Sequence, residues 1–554
     1  MIRRVLIANR GEIAIRIAHT LREMGIQTIA VFAEPDKDAL HVSIADEARA
    51  IGSYLDVLEV ARTAKECQAD AIHPGYGFLS ESPALSEACE EAGIIFIGPR
   101  PETIRKMGDK LESKRLMREA GVPVLATWDG NPPASEFPVL VKAVGGGGGK
   151  GMRLVKTPAE LKEALASASR EAAAAFGNDR VFVEKYIPQP RHIEFQILGD
   201  SHGNAVHVFE RECSIQRRHQ KVIEETPSTA MTPELRAEMG TAAVAAARAV
   251  DYRGAGTVEF ILDSSGRFHF LEMNTRLQVE HPVTEMTTSL DLVREQLLIA
   301  SGGRLGYAQS DLRQTGHSIE CRIYAEIPEE NYRPSTGTIN IYEPPTGPGI
   351  RLDSGVEVGS AITYHFDPLL AKLIVWASSR SAAIDRMKRA LDDFVLAGVG
   401  NNIQFLRRII STGDFAAGKL DTGFLDRHQE LFTASSQAPG RDRVAADVWS
   451  SGPWRHSCGQ TVQLHHKFDP KHKTQEQHSS TMPGSGEVRA LMPGKILRVE
   501  VALGDTVDQK QIVAIMESMK MESSLHAPKA GRVAKIRYGP GQVVDMGEII
   551  MVIT

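Results

Sequence analysis

A predicted β-hairpin near the middle of the chain carries two carboxylates and an amide at a spacing that suits a cation. Glu272 and Asn274 share a strand face by period two, and Glu259 stands across from Glu272 if the turn is centred at 265–266. Facing carboxylates repel each other unless a cation lies between them. Three oxygen donors therefore predict a Mg²⁺ or Mn²⁺ site for nucleotide phosphates, and an exposed polar face is the alternative.

A run of glycines at 145–149, followed by Lys150 and Gly151, forms a second candidate site. A Walker-type phosphate loop is excluded, because its first glycine would be Val144 and its final Ser or Thr would be Gly151. A dinucleotide-binding turn requires a following helix, whereas residues 152–155 predict a strand. The run is therefore interpreted as a glycine-rich hairpin loop that closes over phosphates, with Lys142 as a point charge, or as a plain surface loop.

Two other segments crowd polar side chains of both signs. The segment 210–221 concentrates basic residues, and the chain after the hairpin mixes groups suited to a small anion and a base; the residues are Arg211, Arg217, Arg218, His219 and Lys221, then Arg276, Gln278, Glu280 and His281. A solvated charged face explains the first segment equally well. A nucleic-acid patch is disfavoured, because clustered aromatic residues are missing from it.

Lys520 lies between Met519 and Met521 in the last part of the chain. Large apolar residues on both sides of an exposed turn are unfavourable without a recognition purpose, so we predict covalent attachment of a carried group to Lys520. The surrounding sequence repeats after 37 positions, which predicts a pseudo-symmetric all-β module; the repeated residues are Gly494, Gly504, Val507, Asp508 and Ile512, then Gly531, Gly541, Val544, Asp545 and Ile549.

The composition is that of a globular multidomain protein. The chain has 554 residues, of which 42% are hydrophobic and 24% charged, and a net charge of −6. This mild acidity offers no basic field for nucleic acid. Five cysteines without a CxxC pair indicate a reducing compartment and no structural zinc. No apolar run is long enough for a membrane helix or a secretory signal, so we expect a protein without a membrane segment.

The elements that must position these residues change along the chain. Alternating strands and helices predict a mostly parallel α/β sheet over about the first 110 residues, and strands and hairpins dominate from 138 onward. Between 433 and 486 the composition shifts to Ser, Gln, His and Pro, which predicts a linker. The repeat module follows this linker.

Taken together, these motifs resemble a known family over nearly the whole chain. The first 430 or so residues resemble biotin carboxylase, an ATP-grasp enzyme, and the last part resembles a biotinyl carrier domain. Methionines around Lys520 favour biotin over lipoate, whose carriers typically have Asp-Lys-Ala at this turn. The segments that carry the resemblance are Ile7–Ala14, His73–Glu81, the glycine run, Gln216–Lys221, Glu272–Pro282 and Met519–Met521.

The resemblance implies the α subunit of a biotin-dependent acyl-CoA carboxylase, with an α/β and α+β fold. Its parts are a parallel α/β N-terminal domain, an ATP-grasp domain with a glycine-rich lid, a carboxylase C-terminal domain and an all-β barrel-sandwich module. The implied boundaries are 1–110 for the N-terminal domain, 111–315 for the ATP-grasp domain with its lid at about 130–200, 316–432 for the C-terminal domain, 433–486 for the linker and 487–554 for the carrier.

The same resemblance implies roles for individual positions. Biotin is attached to Lys520, Glu280 is the base that deprotonates bicarbonate, and Arg351 stabilises the biotin enolate. The other implied residues are Lys110, Lys142, Gly147, Gly148, Gly149, Gly151, Glu184, Lys185, His192, Gln216 and His219 for ATP; Glu259, Glu272 and Asn274 for Mg²⁺ or Mn²⁺; and Lys221, Arg276, Gln278 and Val279 with Glu280 for bicarbonate.

The implied activity is ATP-dependent carboxylation of biotin through carboxyphosphate. The implied partners are a separate carboxyltransferase (β) subunit, a biotin protein ligase and a second copy of the carboxylase part. An acyl-CoA acceptor is expected, pyruvate or another non-CoA acceptor is the alternative, and a non-catalytic carrier is a third hypothesis. We expect a cytoplasmic protein or a processed protein of the mitochondrial matrix. Family members that act on acyl-CoAs commonly have a small β-barrel before the carrier. Residues 448–464 resemble the start of such a region, but the polar stretch after them leaves no room for a full barrel.

Overall fold

The computed structural model describes residues 2–145, 151–433, 486–519 and 521–554. The first part is a five-stranded parallel sheet in the order β3-β2-β1-β4-β5, as the alternation of strands and helices predicts. Its elements are β1 Arg4–Ile7, α1 Gly11–Glu23, β2 Gln27–Phe32, α2 Leu40–Ile44, β3 Glu47–Ala50, α3 Val57–Glu66, β4 Ala71–His73, α4 Pro83–Ala92, β5 Ile95–Phe96 and α5 Pro101–Gly108.

A small antiparallel sheet follows, in the order β6-β9-β7-β8. Apolar side chains of β7, β8 and β9 pack with those of helix α7 in a separate small core. The elements are α6 Lys110–Glu119, β6 Thr127–Trp128, β7 Val139–Ala143, β8 Arg153–Val155, α7 Leu161–Phe176 and β9 Val181–Lys185. Strands β7 and β8 flank the glycine run and pair with each other, which agrees with the predicted hairpin.

The remaining carboxylase elements follow in chain order. They are β10 Arg191–Gly199, β11 Ala205–Arg217, β12 Gln220–Thr226, α8 Pro233–Ala249, β13 Gly254–Leu262, β14 Phe268–Asn274, α9 His281–Thr288, α10 Leu292–Ala300, β15 His317–Tyr324, β16 Glu326–Ile327, β17 Arg333–Pro334, β18 Gly337–Thr338, β19 Ile341–Glu343, β20 Ile350–Ser354, β21 Ala361–Ile362, β22 Leu369–Ala377, α11 Arg380–Asp393, β23 Val395–Ala397, α12 Ile403–Ser411, α13 Gly413–Ala416 and α14 Phe424–Arg427.

Eight of these strands form one antiparallel sheet in the order β14-β13-β10-β11-β12-β15-β22-β20. The sheet crosses the predicted boundary at 315/316, because β12 of the ATP-grasp part pairs with β15 of the C-terminal part from Ile223↔Cys321 to Thr226↔Ser318. A continuous ladder of backbone hydrogen bonds therefore joins the two parts.

Alternation along the strands separates an apolar face of this sheet from a polar one. In β10, Ile193 and Phe195 join the core beneath helix α8, while Glu194 between them is fully buried on the opposite face. Strand β13 follows the same rule, with Val258 and Phe260 in that core and Glu259 on the polar face. The two-residue period thus collects charged side chains of neighbouring strands on one side of the sheet.

The C-terminal module consists of two four-stranded antiparallel sheets, in the orders β24-β31-β29-β26 and β28-β27-β25-β30. Its strands are β24 Glu487–Arg489, β25 Gly494–Val499, β26 Thr506–Val507, β27 Ile512–Ser518, β28 Met521–His526, β29 Gly531–Ile536, β30 Val543–Val544 and β31 Ile549–Ile553. Strands β25, β26 and β27 begin 37 positions before β29, β30 and β31, so the predicted repeat is confirmed. Each copy lends its short strand to the sheet of the other copy.

Candidate active site

A cavity of about 1300 Å³ lies over the polar face of the eight-stranded sheet. Its walls come from the N-terminal sheet, the small sheet, the eight-stranded sheet and the C-terminal helices. Fourteen of the predicted site residues line it: Lys110, Lys142, Glu184, Lys185, His192, Gln216, His219, Lys221, Glu259, Glu272, Asn274, Arg276, Gln278 and Val279. Residues from at least seven separate elements therefore meet in one space.

The predicted hairpin of carboxylates is present with the expected register. Glu259 on β13 pairs directly across from Glu272 on β14, and Thr257 pairs with Asn274. The Asn274 amide donates to Glu259 Oε1 at 2.9 Å. Burial and the neighbouring Glu259 raise the pKa of Glu272 above its ordinary value.

The donor set of this hairpin fits a hard divalent cation. Two facing carboxylates whose repulsion raises one pKa are stabilised when a cation comes between them, and carboxylate and amide oxygens are what Mg²⁺ and Mn²⁺ prefer. His192 and Glu194 add ligand atoms within 4.8 Å of Glu259 and of each other. A cation held by Glu259, Glu272 and Asn274 would neutralise charge on phosphate oxygens.

Lys221 lines the cavity and is the centre of a network of charged side chains. Its Nζ donates to Glu194 Oε2 at 2.5 Å, to Glu280 Oε1 at 2.6 Å and to Glu259 Oε1 at 2.8 Å. Burial lowers the pKa of Lys221, but the three carboxylates outweigh it and raise the pKa well above the ordinary value. The ammonium is therefore permanently charged where an anion would bind.

Glu280 is fully buried between two cations. Besides Lys221, Arg322 Nη2 donates to Glu280 Oε2 at 2.9 Å. Burial raises the pKa of Glu280, yet Lys221, Arg322 and Arg211 hold it well below its ordinary value. The side chain is consequently a carboxylate, able to accept a proton, and Arg322 is a functional candidate that sequence reasoning missed.

A second buried ion cluster includes Lys142 and Glu184 of the cavity lining. Lys142 Nζ donates to Glu184 Oε2 at 2.5 Å, and Lys114 Nζ contacts the other oxygen of the same carboxylate. Burial raises the pKa of Glu184, but the two lysines outweigh it and lower the pKa to about 2. Lys114 is only 2% exposed and was also missed, because its segment reads as a charged helix face.

A chain of contacts joins the two ends of the cavity. Gln216 Nε2 lies 2.6 Å from His192 Nδ1, and His192 Nε2 lies 2.9 Å from Glu259 Oε2. Glu259 in turn contacts Lys221. The predicted nucleotide residues and the predicted bicarbonate residues are thus connected through the hairpin carboxylate.

Arg276 is held over the same carboxylates by short contacts. Its Nε donates to Glu81 Oε2 at 3.0 Å, and its Nη atoms donate to Gln278 Oε1 and Asn274 Oδ1, each at 3.2 Å. Gln278 also donates to Glu259 Oε1 at 3.2 Å. Close by, burial and Glu194 raise the pKa of the Cys213 thiol, which argues against a reactive thiolate.

In the structure Arg351 lies apart from the predicted residues that line the cavity. Among the described residues, the cavity lining includes Arg322 and does not include Arg351. The Arg351 guanidinium is engaged by Asp353 at 2.8 Å and by Glu285 at 2.8 Å. Strand β20, which carries Arg351, is the outer edge of the sheet, and β22 separates it from the strand of Arg322.

Four predicted residues lie outside the described part of the chain: Gly147, Gly148, Gly149 and Lys520. Gly151 is described, and its φ of +71° suits a glycine. The predicted linker is outside as well, except for its end residues Thr433 and Gly486.

The carrier module contacts the carboxylase next to its predicted attachment turn. The backbone N–H of Met519 donates to the carbonyl of Tyr364 at 3.3 Å. Met519 is 2% exposed, although it does not belong to the module's own apolar core. Phe366, two residues after Tyr364, packs 4.0 Å beneath the guanidinium of Arg10, and Arg10 lines the cavity.

Four family models match the chain and together cover most of it. They are the biotin carboxylase N-terminal domain at 1–104, the ATP-binding domain of carbamoyl-phosphate synthase L chain at 109–308, the biotin carboxylase C-terminal domain at 320–427 and a model named biotin-requiring enzyme at 482–553. No helix in the described part of the chain is long and apolar enough to cross a membrane.

Curated relatives agree with these matches. A chloroplastic biotin carboxylase of Populus trichocarpa is 50% identical over 78% of this chain and 85% of its own length. A mitochondrial methylcrotonoyl-CoA carboxylase subunit alpha of Arabidopsis thaliana is 37% identical over 99% of this chain and 94% of its own length.

Solved structures are similar as well. The biotin carboxylase domain dimer of 2-oxoglutarate carboxylase from Hydrogenobacter thermophilus, in complex with MgADP, ADP and bicarbonate, is 47% identical, with a TM-score of 0.76, covering 78% of this chain and 99% of that one. Pyruvate carboxylase from Rhizobium etli is 44% identical, with a TM-score of 0.76, covering 78% of this chain and 41% of that one. This chain therefore belongs to the biotin carboxylases, ligases that require biotin, ATP and a divalent cation, and it carries a biotinyl module in the same polypeptide.

Proposed function

We propose that this chain uses ATP and bicarbonate to carboxylate biotin on its own Lys520. It supplies the carboxylated biotin to a separate carboxyltransferase subunit that acts on an acyl-CoA. One observation carries this proposal. The buried carboxylate of Glu280 lies between Lys221 and Arg322, two residues that line a large cavity, in a chain that contains its own carrier module.

On the side of the cavity formed by Lys142 and Glu184, the lysines bind the nucleotide. Lys142 and Lys110 offer positive charge to phosphate oxygens, and the Glu184 carboxylate supports the Lys142 ammonium. The remaining wall residues shape the nucleotide pocket; we assign this role to Lys185, His192, Gln216 and His219, with the glycine loop at 147–151 as the lid. A closed lid protects carboxyphosphate from water.

On the side of the cavity formed by Lys221, bicarbonate lies against Arg276, Lys221 and residues 278–279. Glu280 takes the proton of bicarbonate, and the neighbouring cations keep Glu280 ionised for this task. The oxygen freed in this way attacks the γ-phosphate and ADP leaves, while the developing charge is spread over the lysines and the cation site. Carboxyphosphate then splits into CO₂ and phosphate. The phosphate takes the N1 proton of biotin, and the enolate that forms attacks CO₂.

We assign the role expected of Arg351 to Arg322. A guanidinium is permanently charged and suits the oxygen of the biotin ring system as charge develops on it. Arg322 is at the cavity wall and next to Glu280, whereas Arg351 is occupied by Asp353 and Glu285. The contact of Met519 with Tyr364 supports delivery of Lys520 to this wall.

The relatives support the proposed acyl-CoA acceptor and the proposed carboxyltransferase partner. The relative that aligns with 99% of this chain, carrier included, is a methylcrotonoyl-CoA carboxylase α subunit, which favours an acyl-CoA over pyruvate. The alignment spans 694 positions against 554 residues here, in line with a shortened region before the carrier. A biotin protein ligase loads Lys520, and the carboxylase part pairs with a second copy. The relatives are named as chloroplastic or mitochondrial proteins. For this chain we propose the cytoplasm, with the mitochondrial matrix as the alternative.

The test is carboxylation by the full chain co-expressed with a biotin ligase. Bicarbonate-dependent ADP release and labelling of the carrier by radioactive bicarbonate are measured in wild type, Glu280→Gln and Lys520→Ala. We expect the first variant to lose both signals and the second to lose only the labelling. Lys535→Ala, at an exposed position of the same module, is the matched control. A biotinylated wild type without bicarbonate-dependent turnover would refute the proposal and favour the carrier hypothesis.

A further inference from the structure

The hairpin that carries Gln216, His219 and Lys221 ends in a strained turn. Strands β11 and β12 pair as far as Arg217↔Gln220, so the turn has two residues, Arg218 and His219. Their φ angles are +46° and +64°. This is the backbone of a type I′ turn, which glycine and asparagine favour and which is costly for residues with longer side chains. Contacts outside the turn must therefore stabilise it.

Arg217, the residue before the turn, is held on three sides. Its guanidinium carbon lies 5.0 Å from the ring centre of Tyr324 and 5.0 Å from that of Tyr332. Its Nη2 forms an ion pair with the carboxylate of Glu326, which is 1% exposed. We call Tyr324, Tyr332 and Glu326 the Arg217 clamp. Cation–π contacts and a buried ion pair on one side chain fix the end of β11 firmly.

The clamp belongs to a different part of the protein from the hairpin. Tyr324 ends β15, Glu326 begins β16, and the ring of Tyr332 packs edge-on against Phe405 of helix α12 at 5.9 Å. Tyr332 belongs to an apolar core that β11 and β12 share with the C-terminal part. The position of the turn therefore depends on residues that follow the ATP-grasp part in the chain.

The turn faces the nucleotide end of the cavity. All six residues of 216–221, Arg217 and Arg218 included, line the cavity, and Gln216 is paired with Lys221 across the hairpin. Gln216 also contacts His192 at 2.6 Å. Relaxation of the turn would move His219 away from the cavity and displace the Gln216 contact, whereas Lys221 is retained by three carboxylates of its own.

We infer that Arg217 is a positioning residue for ATP: its clamp holds the 218–219 turn in a strained form that presents Gln216 and His219 to the nucleotide. The Arg217 guanidinium is 3% exposed and is held by the ion pair and the two rings of the clamp, so we assign it a role through the hairpin although Arg217 itself lines the cavity. This inference rests on the proposed function in one respect, which is that ATP binds on the side of the cavity formed by Lys142 and Glu184.

The test is a double-mutant cycle on the biotinylated full chain, with Arg217→Met, Arg218→Gly and the two combined. Without the clamp, the competent turn is only partly populated, so we expect the KM for ATP of Arg217→Met to rise by about tenfold while kcat changes by less than about threefold. Glycine adopts positive φ without cost, so Arg218→Gly in the Arg217→Met background should restore the KM to within about threefold of wild type. Affinity for MgADP, measured by calorimetry, should follow the same order and needs no turnover.

Arg236→Met is the matched control. Arg236 of helix α8 pairs at 2.7 Å with Glu210 of β11, the strand that also carries Arg217, and among the described residues Arg236 does not line the cavity. Its KM for ATP should equal that of wild type. If Arg217→Met does not fold, Arg217→Lys and Glu326→Gln replace it, with the same rescue by Arg218→Gly. An unchanged KM in the clamp variants, or a raised KM that Arg218→Gly does not lower, overturns the inference. An inactive wild type that still binds MgADP would instead count against the proposed function.

Discussion

Replacing each of two arginines by methionine separates the assignment of Arg322 from that of Arg351. Methionine keeps much of the side-chain length and removes the charge. In wild type, Arg322 donates to Glu280 at 2.9 Å and to Glu224 at 2.6 Å, and it is the second-strongest of the charges that lower the pKa of Glu280. Arg351 instead pairs with Asp353 and Glu285.

The size of the expected rate loss in Arg322→Met follows from the loss of its hydrogen bond to Glu280. A hydrogen bond to a charged group contributes about 1.5–3 kcal/mol. Because Arg322 helps to hold the pKa of Glu280 below its ordinary value, Arg322→Met should raise that pKa. The same loss in the transition state lowers kcat/KM for bicarbonate by roughly 10- to 150-fold. Arg351→Met should lower it by less than about threefold, because no cavity contact is lost.

The assay is the initial rate of bicarbonate-dependent ADP release at saturating ATP across a pH series. Glu280 works as a base only when ionised, so a raised pKa moves the acid limb of the profile for Arg322→Met to higher pH. Arg322→Lys keeps a positive charge and should recover part of the rate, which distinguishes charge from folding. A larger loss in Arg351→Met than in Arg322→Met, or an acid limb that does not move, would refute the reasoning.

Three further predictions concern buried groups. Lys114→Met leaves Glu184 with one lysine and should lower the free energy of unfolding in urea by about 3–5 kcal/mol at neutral pH. Because the folded pKa of Glu184 is about 2, its stabilisation is present above the unfolded pKa of about 4.3 and is lost as pH falls towards 2, so the difference from wild type should narrow in acid. Lys372→Met removes an ammonium that donates to the carbonyl of Val279 at 2.9 Å, and bicarbonate KM should rise about tenfold with the ATP KM unchanged. Gly494→Ala places a Cβ 2.3 Å from a backbone carbonyl oxygen, and so does Gly531→Ala, the equivalent change 37 positions later. Each substitution should lower the melting temperature of the carrier module, measured by calorimetry.

Local periodicity accounts for the parts of the fold and site that could be predicted. The pairing of Glu259 with Glu272 depends on one short turn, and the carrier repeat depends on 37 positions of contiguous sequence. Both are short-range relations that the order of residues expresses directly. The parallel sheet of the first 110 residues is predictable for the same reason.

The choice between Arg322 and Arg351 could not be made in this way. Both arginines lie on strands next to β22, paired with Lys372 and Ile374 respectively, and only the order of strands in the sheet distinguishes them. The strand of Arg322 adjoins β12, the strand of Lys221, whereas β20 lies two strands further out, at roughly 4.8 Å for each strand. Sheet order is a long-range property of packing.

The charge network explains why this site is built from so many buried ions. Removing carboxylates and ammonium groups from water is costly, and their mutual attraction repays that cost only when each group keeps several partners. Glu259 contacts His192 towards the nucleotide end and Lys221 towards the bicarbonate end, and Lys221 contacts Glu280. A change at either end therefore alters the field at the other, so substitutions at Glu259 and Glu280 should be strongly non-additive.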